Sequence, residues 1–79
     1  MKKPNTSRIE LYAIDTVRAL REKNNVSQQQ LADYLGMSKG FVGNVESNKY
    51  RAKYNLNHLN AIAKFFNCSP QDFLPDRPI

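Results

Sequence analysis

The chain has 79 residues, of which 41% are hydrophobic, and a formal net charge of +5 with an isoelectric point near 9.6. This length predicts one domain with one modest core and excludes a multidomain enzyme. The apolar runs are too short for a membrane span or a signal peptide, so we expect a cytoplasmic protein. The positive charge favours a polyanionic partner: nucleic acid, an acidic protein or a membrane surface.

The N-terminal segment, residues 1–6, is basic, and its Pro4 discourages an early helix. We predict a flexible arm here. The arm could contact nucleic acid, but the mobility of chain ends favours a solvated terminus. A helix from about Arg8 to Lys23 follows, because Ser7 stands three residues before Glu10 in a capping-box pattern. Its core face is predicted from four apolar residues at helical spacing: Ile9, Ala13, Val17 and Leu20.

Two short helices joined by a tight turn are predicted within residues 27–46. Ser27 and Gln30 repeat the capping-box pattern at the start of the first one. Gly36 follows the last apolar position and can take the left-handed conformation that ends a helix. Ser38 is the predicted N-cap of the second helix. This arrangement is typical of a helix-turn-helix, in which the second helix enters the major groove of DNA.

The rest of the chain predicts a basic loop and two more helices. Three cations lie within residues 49–53, after which Asn55 can cap a fourth helix that keeps helical spacing to Phe66. Ser69 and Pro70 then give a start signal for a short fifth helix. The predicted fold is all-α with five helices, in a domain of residues 7–74 followed by a tail of residues 75–79.

Several of these residues stand at the spacing of a known family. The chain resembles the Cro and phage-repressor (XRE) family, most clearly at Gln28, Leu31, Ala32, Gly36, Ser38, Val42, Val45 and Glu46. Weaker similarity runs from about Thr16 to Leu74. The resemblance implies a lambda-repressor-like DNA-binding domain and a sequence-specific transcriptional regulator that acts as a repressor. An ordinary antiparallel helix pair is the alternative interpretation of the same residues.

The resemblance assigns the reading of bases to Gln28, Lys39, Gly40 and Asn44. Asparagine can make paired hydrogen bonds with adenine, lysine can donate to guanine, and glutamine offers both a donor and an acceptor. Phe41 and Gly43 are expected to approach DNA closely. Gly43 departs from the longer polar side chain usual in the family. The alternative to close approach is that Gly40 and Gly43 leave the second helix of the motif loosely ordered until it binds. Edge packing is the alternative for Phe41.

Contacts with the DNA backbone are expected from a second set of residues, which carry no sequence information themselves. They are Arg18, Gln29, Ser38, Ser47, Lys49, Tyr50, Arg51 and Lys53. The helix N-termini at Gln28 and Lys39 would add to them. A solvated loop is the alternative for the run from Lys49 to Lys53. Family members often carry glycine at the position of Asn48, so a left-handed residue is expected there.

The resemblance also implies a structural ion pair between Arg21 and Glu46. Nothing in the sequence indicates an enzyme, a cofactor or a metal site, since no nucleophile stands beside a base and carboxylates are not clustered. A single cysteine, Cys68, excludes an internal disulfide, and with His58 alone it forms no ligand set for zinc.

Double-stranded DNA is therefore the expected partner, and a homodimer is expected to bind it at an inverted repeat. No membrane partner is expected. The expected dimer contact uses Tyr54, Phe73 and Leu74, with Leu11 and Ile14 as the alternative surface. Two other functions stay open. One is an antitoxin with a toxin partner, and the other is a protein-interaction module that has lost DNA binding.

Overall fold

A computed structural model describes residues 3–79. Four α-helices follow one another as α1 (Arg8–Lys23), α2 (Gln28–Leu35), α3 (Phe41–Glu46) and α4 (Leu56–Phe66), and a 3₁₀ helix occupies Pro70–Phe73. The part of the chain from residue 3 onward contains no β-strand. The predicted all-α fold is thus confirmed, with four α-helices where five helices were predicted.

The predicted fifth helix is the single 3₁₀ turn. The amide of Asp72 donates to the carbonyl of Ser69 at 2.9 Å, and the amide of Leu74 donates to the carbonyl of Gln71 at 3.1 Å. Leu74 is already extended, with φ −117° and ψ 150°. The residue before a proline avoids the α conformation, so Pro75 stops the helix before a full α-turn forms.

Local capping signals place most helix ends. The side chains of Ser7, Ser27 and Asn55 accept hydrogen bonds from amides of the first turns of α1, α2 and α4, as predicted. Gly36 ends α2 in the left-handed conformation with φ 69°. The amide of Met37 then donates back to the carbonyl of Ala32 at 3.0 Å, which closes the C-terminus of the helix.

The start of α3 differs from the prediction. The helix begins at Phe41 with Gly40 as its N-cap, and no side chain caps it. The carbonyl of Ser38 accepts from the amide of Phe41 at 3.0 Å, which makes residues 38–41 a tight turn. Gly40 has φ −90° and ψ 1°, a turn conformation. Because glycine gains little from helical conformation, the turn extends through Lys39 and Gly40, and Ser38 is not the cap.

The segment after α3 needs no left-handed residue. Ser47 is extended, with φ −81° and ψ 144°, so the helix ends by leaving into an extended chain. In the described chain the non-glycine residues with positive φ are Asn5, Asn25 and Asn67. The left-handed conformation predicted for Asn48 is therefore wrong.

The core lies where α1, α2, α3, α4 and the 3₁₀ turn meet. Its largest fully buried side chains are Phe73, Leu31, Ile62, Val17, Val42 and Val45. One position of the predicted α1 face is wrong, because Ile9 is 39% exposed, whereas Ile14, which the predicted face does not include, is 4% exposed. Ile9 borders an open apolar pocket next to the core, while Leu20 packs against the core at its edge.

His58 completes the N-terminal cap of α4. Its amide donates to Oδ1 of Asn55 at 2.8 Å, and its Nδ1 accepts from the amide of Asn55 at 3.0 Å. The ring lies 5.0 Å from that of Phe41, so it is partly withdrawn from water. Burial lowers the pKa of His58. Protonation would also remove the lone pair that accepts from Asn55.

We expect the domain to lose stability as the pH falls below about 6.5, the pKa of an exposed histidine. In that range the unfolded chain takes up a proton before the folded one does, so protons favour unfolding. His58→Gln should flatten the dependence, because glutamine at this position keeps the capping box without titrating. Urea unfolding of both proteins between pH 7 and pH 5.5 measures this, and equal slopes would disprove the role of His58.

Candidate nucleic-acid interface

Glu46, the last residue of α3, joins three helices through its carboxylate. Arg21 of α1 donates to it from Nε and Nη2, at 2.9 Å each, and Gln28 of α2 donates from Nε2 at 3.0 Å. The Glu46 side chain is 3% exposed and that of Arg21 is 10% exposed. Arg21 also donates from Nη1 to the carbonyl of Val26 at 2.8 Å. This ion pair, at the positions that the resemblance implied, fixes α3 against its neighbours.

The hydrogen bonds that Arg21 donates to Glu46 raise the pKa of Arg21, although burial lowers it. The guanidinium therefore keeps its charge, and its Nε, Nη1 and Nη2 atoms all donate hydrogen bonds. A pair with this geometry can tolerate burial, whereas either partner alone could not.

Gly43 provides the space in which the Gln28 side chain lies. A Cβ atom at Gly43 would stand 3.2 Å from Oε1 of Gln28, tighter than an ordinary contact. Because Glu46 holds the other end of the Gln28 amide, that side chain has little freedom to move away. Gly40 differs, since a Cβ there would meet only Nδ2 of Asn44 at 4.0 Å. Glycine at position 43 thus lets α2 place a polar group over α3.

The predicted base-reading residues lie together on one exposed surface. Asn44 is exposed on α3, Lys39 and Gly40 are exposed in the turn before it, and Gln28 is exposed at the start of α2. Gln28 lies beside Gly43 and Asn44 beside Gly40, since a Cβ atom built on either glycine would stand 3.2 Å from the Gln28 side chain and 4.0 Å from that of Asn44, respectively. We call Gln28, Lys39, Gly40, Gly43 and Asn44 the reading surface.

Phe41 lies beside this surface with its ring turned toward the domain. It is partly buried and stands 5.0 Å from the ring of His58 and 6.0 Å from that of Tyr54, measured between centroids. Packing at the edge of the core, one of the two alternatives from the sequence, describes this position. Tyr54 itself is buried, its hydroxyl has no hydrogen-bond partner among residues 3–79, and burial raises its pKa.

The residues expected to contact the DNA backbone divide into two groups. Lys49, Tyr50 and Arg51 are exposed in the loop after α3, and Ser38 is exposed in the turn. The others have partners within the domain. Arg18 lies 3.4 Å from Glu22, and Gln29 donates to Asp33 at 2.8 Å. The Ser47 hydroxyl accepts from the amide of Lys49 at 3.1 Å, and Lys53 bonds to Asn5 and Glu10.

The N-terminal arm differs most from the sequence-based expectation. Lys3 is 2% exposed and Thr6 is 4% exposed, so the solvated terminus favoured from the sequence is wrong at these residues. The Lys3 ammonium donates to the carbonyls of Asn44, Ser47 and Tyr50. Residues 1 and 2 of the predicted arm lie outside the described residues. No local pattern marks Lys3 for this role, because its acceptors lie more than forty residues away.

Within residues 3–79, no group of three or more histidine, cysteine, aspartate or glutamate side chains could hold a metal ion. No helix of this part of the chain combines the length and the hydropathy that crossing a membrane requires.

Comparison with known families adds a match over most of the chain. The profile of the helix-turn-helix family HTH_3 matches residues 17–73, which include every helix of the described fold except the first half of α1. The chain belongs to this helix-turn-helix family. The resemblance to Cro and phage repressors is thereby confirmed, and the reading surface lies within the matched residues.

Two curated relatives share the domain. The chain is 42% identical over 53 residues to a competence pilus inhibition repressor of Acinetobacter baylyi, a match that covers 67% of this chain and 46% of that protein. It is 36% identical over 55 residues to control protein C.SmaI of Serratia marcescens, covering 70% and 63%. The matched region is thus less than two thirds of either relative.

A solved structure shares the fold. The crystal structure of a hypothetical transcription factor, NHTF, from Neisseria superimposes with a TM-score of 0.71 at 19% identity, over 95% of this chain and 84% of that one. At this identity the likeness concerns the fold alone.

Proposed function

We propose that the protein is a sequence-specific DNA-binding regulator that represses transcription in the cytoplasm, and that it is not an enzyme. The observation that supports this most is the reading surface, where exposed polar groups of α2, α3 and the turn between them lie together and the buried Glu46 carboxylate holds Gln28 in place. The names of the relatives, a repressor and a control protein, support this proposal. So does the net charge of +5.

Each polar group of the reading surface has a definite capacity for bases. Asn44 can make paired hydrogen bonds with N6 and N7 of adenine, and Lys39 can donate to guanine. Gln28 donates one Nε2 hydrogen to Glu46, so its Oε1 acceptor is the group turned toward Gly43. An acceptor at this place suits the amino group of cytosine or adenine in the major groove.

The exposed loop after α3 would supply contacts with phosphates. We assign Lys49, Tyr50 and Arg51 to the DNA backbone, because their side chains are exposed next to the end of α3. Lys53 is a weaker candidate, since its ammonium bonds to Glu10 at 3.0 Å and to the carbonyl of Asn5 at 2.8 Å. Contacts of this kind hold the protein in register without reading sequence.

Substitutions at Asn44 and Arg51 distinguish the two kinds of contact. Asn44→Ala should relax the preference at one base position by about 1–3 kcal/mol, whereas Arg51→Ala should weaken binding to all sequences alike. Affinities of both variants on a panel of single-base operator changes measure this. An unchanged sequence profile for Asn44→Ala would remove Asn44 from the reading surface.

We further propose that two subunits bind an inverted repeat, because one recognition helix contacts too few base pairs to specify a site in a genome. The contact expected at Tyr54, Phe73 or Ile14 needs correction, since these side chains are 8%, 0% and 4% exposed. An apolar pocket of about 400 Å³ is lined by Ile14 and Tyr54 and bordered by Leu56 and Leu74. Leu56 is 79% exposed, so we assign the subunit contact to this exposed rim.

A further inference from the structure

The C-terminal end of α3 is capped by a lysine from the other end of the chain. The last carbonyls of any helix lack intrahelical partners, and a left-handed residue commonly satisfies them. Here Ser47 is extended instead, and the Lys3 ammonium donates to the carbonyls of Asn44 and Ser47 at 3.1 and 2.9 Å and to that of Tyr50. A compact ammonium with three donors matches three converging carbonyls.

A second pair of contacts ties the same two segments farther along. Lys53, at the end of the basic loop, donates to the carbonyl of Asn5 at 2.8 Å and pairs with Glu10 of α1 at 3.0 Å. Residues 3–5 therefore hold the loop of residues 47–53 at both ends. Between these points lie the exposed side chains of Lys49 and Arg51.

We propose that Lys3 is a positioning residue for DNA binding, which fixes the end of α3 and the loop of residues 47–53 before DNA arrives. This inference rests on the proposed function. A positive charge at the C-terminus of a helix is favourable, because the helix dipole is negative there. A loop that is already fixed loses less conformational entropy on binding, so its phosphate contacts yield more affinity.

This role differs from that of an arm that grips DNA directly. The Lys3 ammonium is buried and its donors are used by carbonyls, so it neutralises no phosphate. Removing it should weaken binding without changing the number of counterions released. The slope of log affinity against log salt therefore separates the two roles, since a lost phosphate contact lowers the slope by about 0.9 for each subunit.

The test compares Lys3→Met with Lys64→Met in the full chain. Lys64 is exposed in the last turn of α4, and its replacement removes the same charge. Hydrogen exchange of the amides of residues 47–53, measured without DNA, should be faster in Lys3→Met than in the wild-type protein and should be unchanged in Lys64→Met. Its affinity for a selected operator should fall about tenfold, the effect of freeing roughly one backbone residue, with an unchanged salt slope.

Two results would overturn the proposal. One is unchanged hydrogen exchange of the loop amides in Lys3→Met. The other is a shallower slope of log affinity against log salt in Lys3→Met, which would show that Lys3 contacts a phosphate. If the wild-type protein bound no DNA, the proposed function would fail, while the exchange experiment would still decide whether Lys3 orders the loop. Should Lys3→Met not fold, Lys3→Gln, which keeps two donors without the charge, receives the same measurements.

Discussion

Replacing Arg21 with alanine is expected to lower the free energy of unfolding by about 3–5 kcal/mol. The substitution leaves the Glu46 carboxylate, only 3% exposed, with a hydrogen bond from Gln28 and with the half-exposed Arg18 guanidinium 3.8 Å away. It also leaves the carbonyl of Val26 without its guanidinium partner. Because a small domain has a total stability of about 5–15 kcal/mol, such a loss brings it close to unfolding at ambient temperature.

Urea unfolding monitored by circular dichroism measures this effect. Lys23→Ala is the matched control, since Lys23 is exposed in the last turn of the same helix and its loss should change stability by less than about 0.5 kcal/mol. Adding Glu46→Gln to Arg21→Ala should restore part of the loss, because the buried charge is then removed. Equal midpoints for Arg21→Ala and Lys23→Ala would contradict the account of this ion pair.

Binding to a selected operator should weaken steeply as salt is added, with a slope of log affinity against log salt of about −5 to −9. If each subunit neutralises about three to five phosphates, a dimer neutralises roughly six to ten, and every neutralised phosphate releases counterions. Between 50 and 200 mM salt the affinity should fall by about 10³ to 10⁵, the largest change expected of this protein.

Arg51→Ala is the test of this count, because it removes one exposed cation from each subunit. For a dimer the slope should become shallower by about 1.8, twice the contribution of a single phosphate contact. If the wild-type protein showed half the expected slope, and Arg51→Ala changed that slope by only about 0.9, the protein would bind DNA as a monomer. This result would disprove the paired arrangement.

Features that depend on a few neighbouring residues could be predicted from the sequence. The caps at Ser7, Ser27 and Asn55 and the left-handed Gly36 each use partners within about one helical turn. Where two local tendencies compete, the sequence did not correctly predict where a helix begins or how long it is. A serine at position 38 indicated a cap, but the turn continued through Gly40, and a start signal at Ser69 indicated a helix that Pro75 cut short.

The interface shows the same limit more sharply. The side chains of Arg21 and Glu46 meet across 25 positions of sequence, so only the family resemblance indicated their pairing. The contact of Gln28 with Gly43 depends on how α2 lies against α3, and no spacing rule reveals it. Lys3 was missed because a basic chain end with a proline looks alike whether it is solvated or folded onto the domain.

The central claim, that the surface around α3 reads DNA sequence, is tested most directly by enrichment of bound fragments from random double-stranded DNA. The wild-type protein should select one recurring motif with two-fold symmetry, its half-sites about one helical turn apart. Asn44→Ala, carried through the same selection, should lose the preference at one position of each half-site while keeping the spacing. Recovery of unrelated sequences by the folded wild-type protein would contradict the claim.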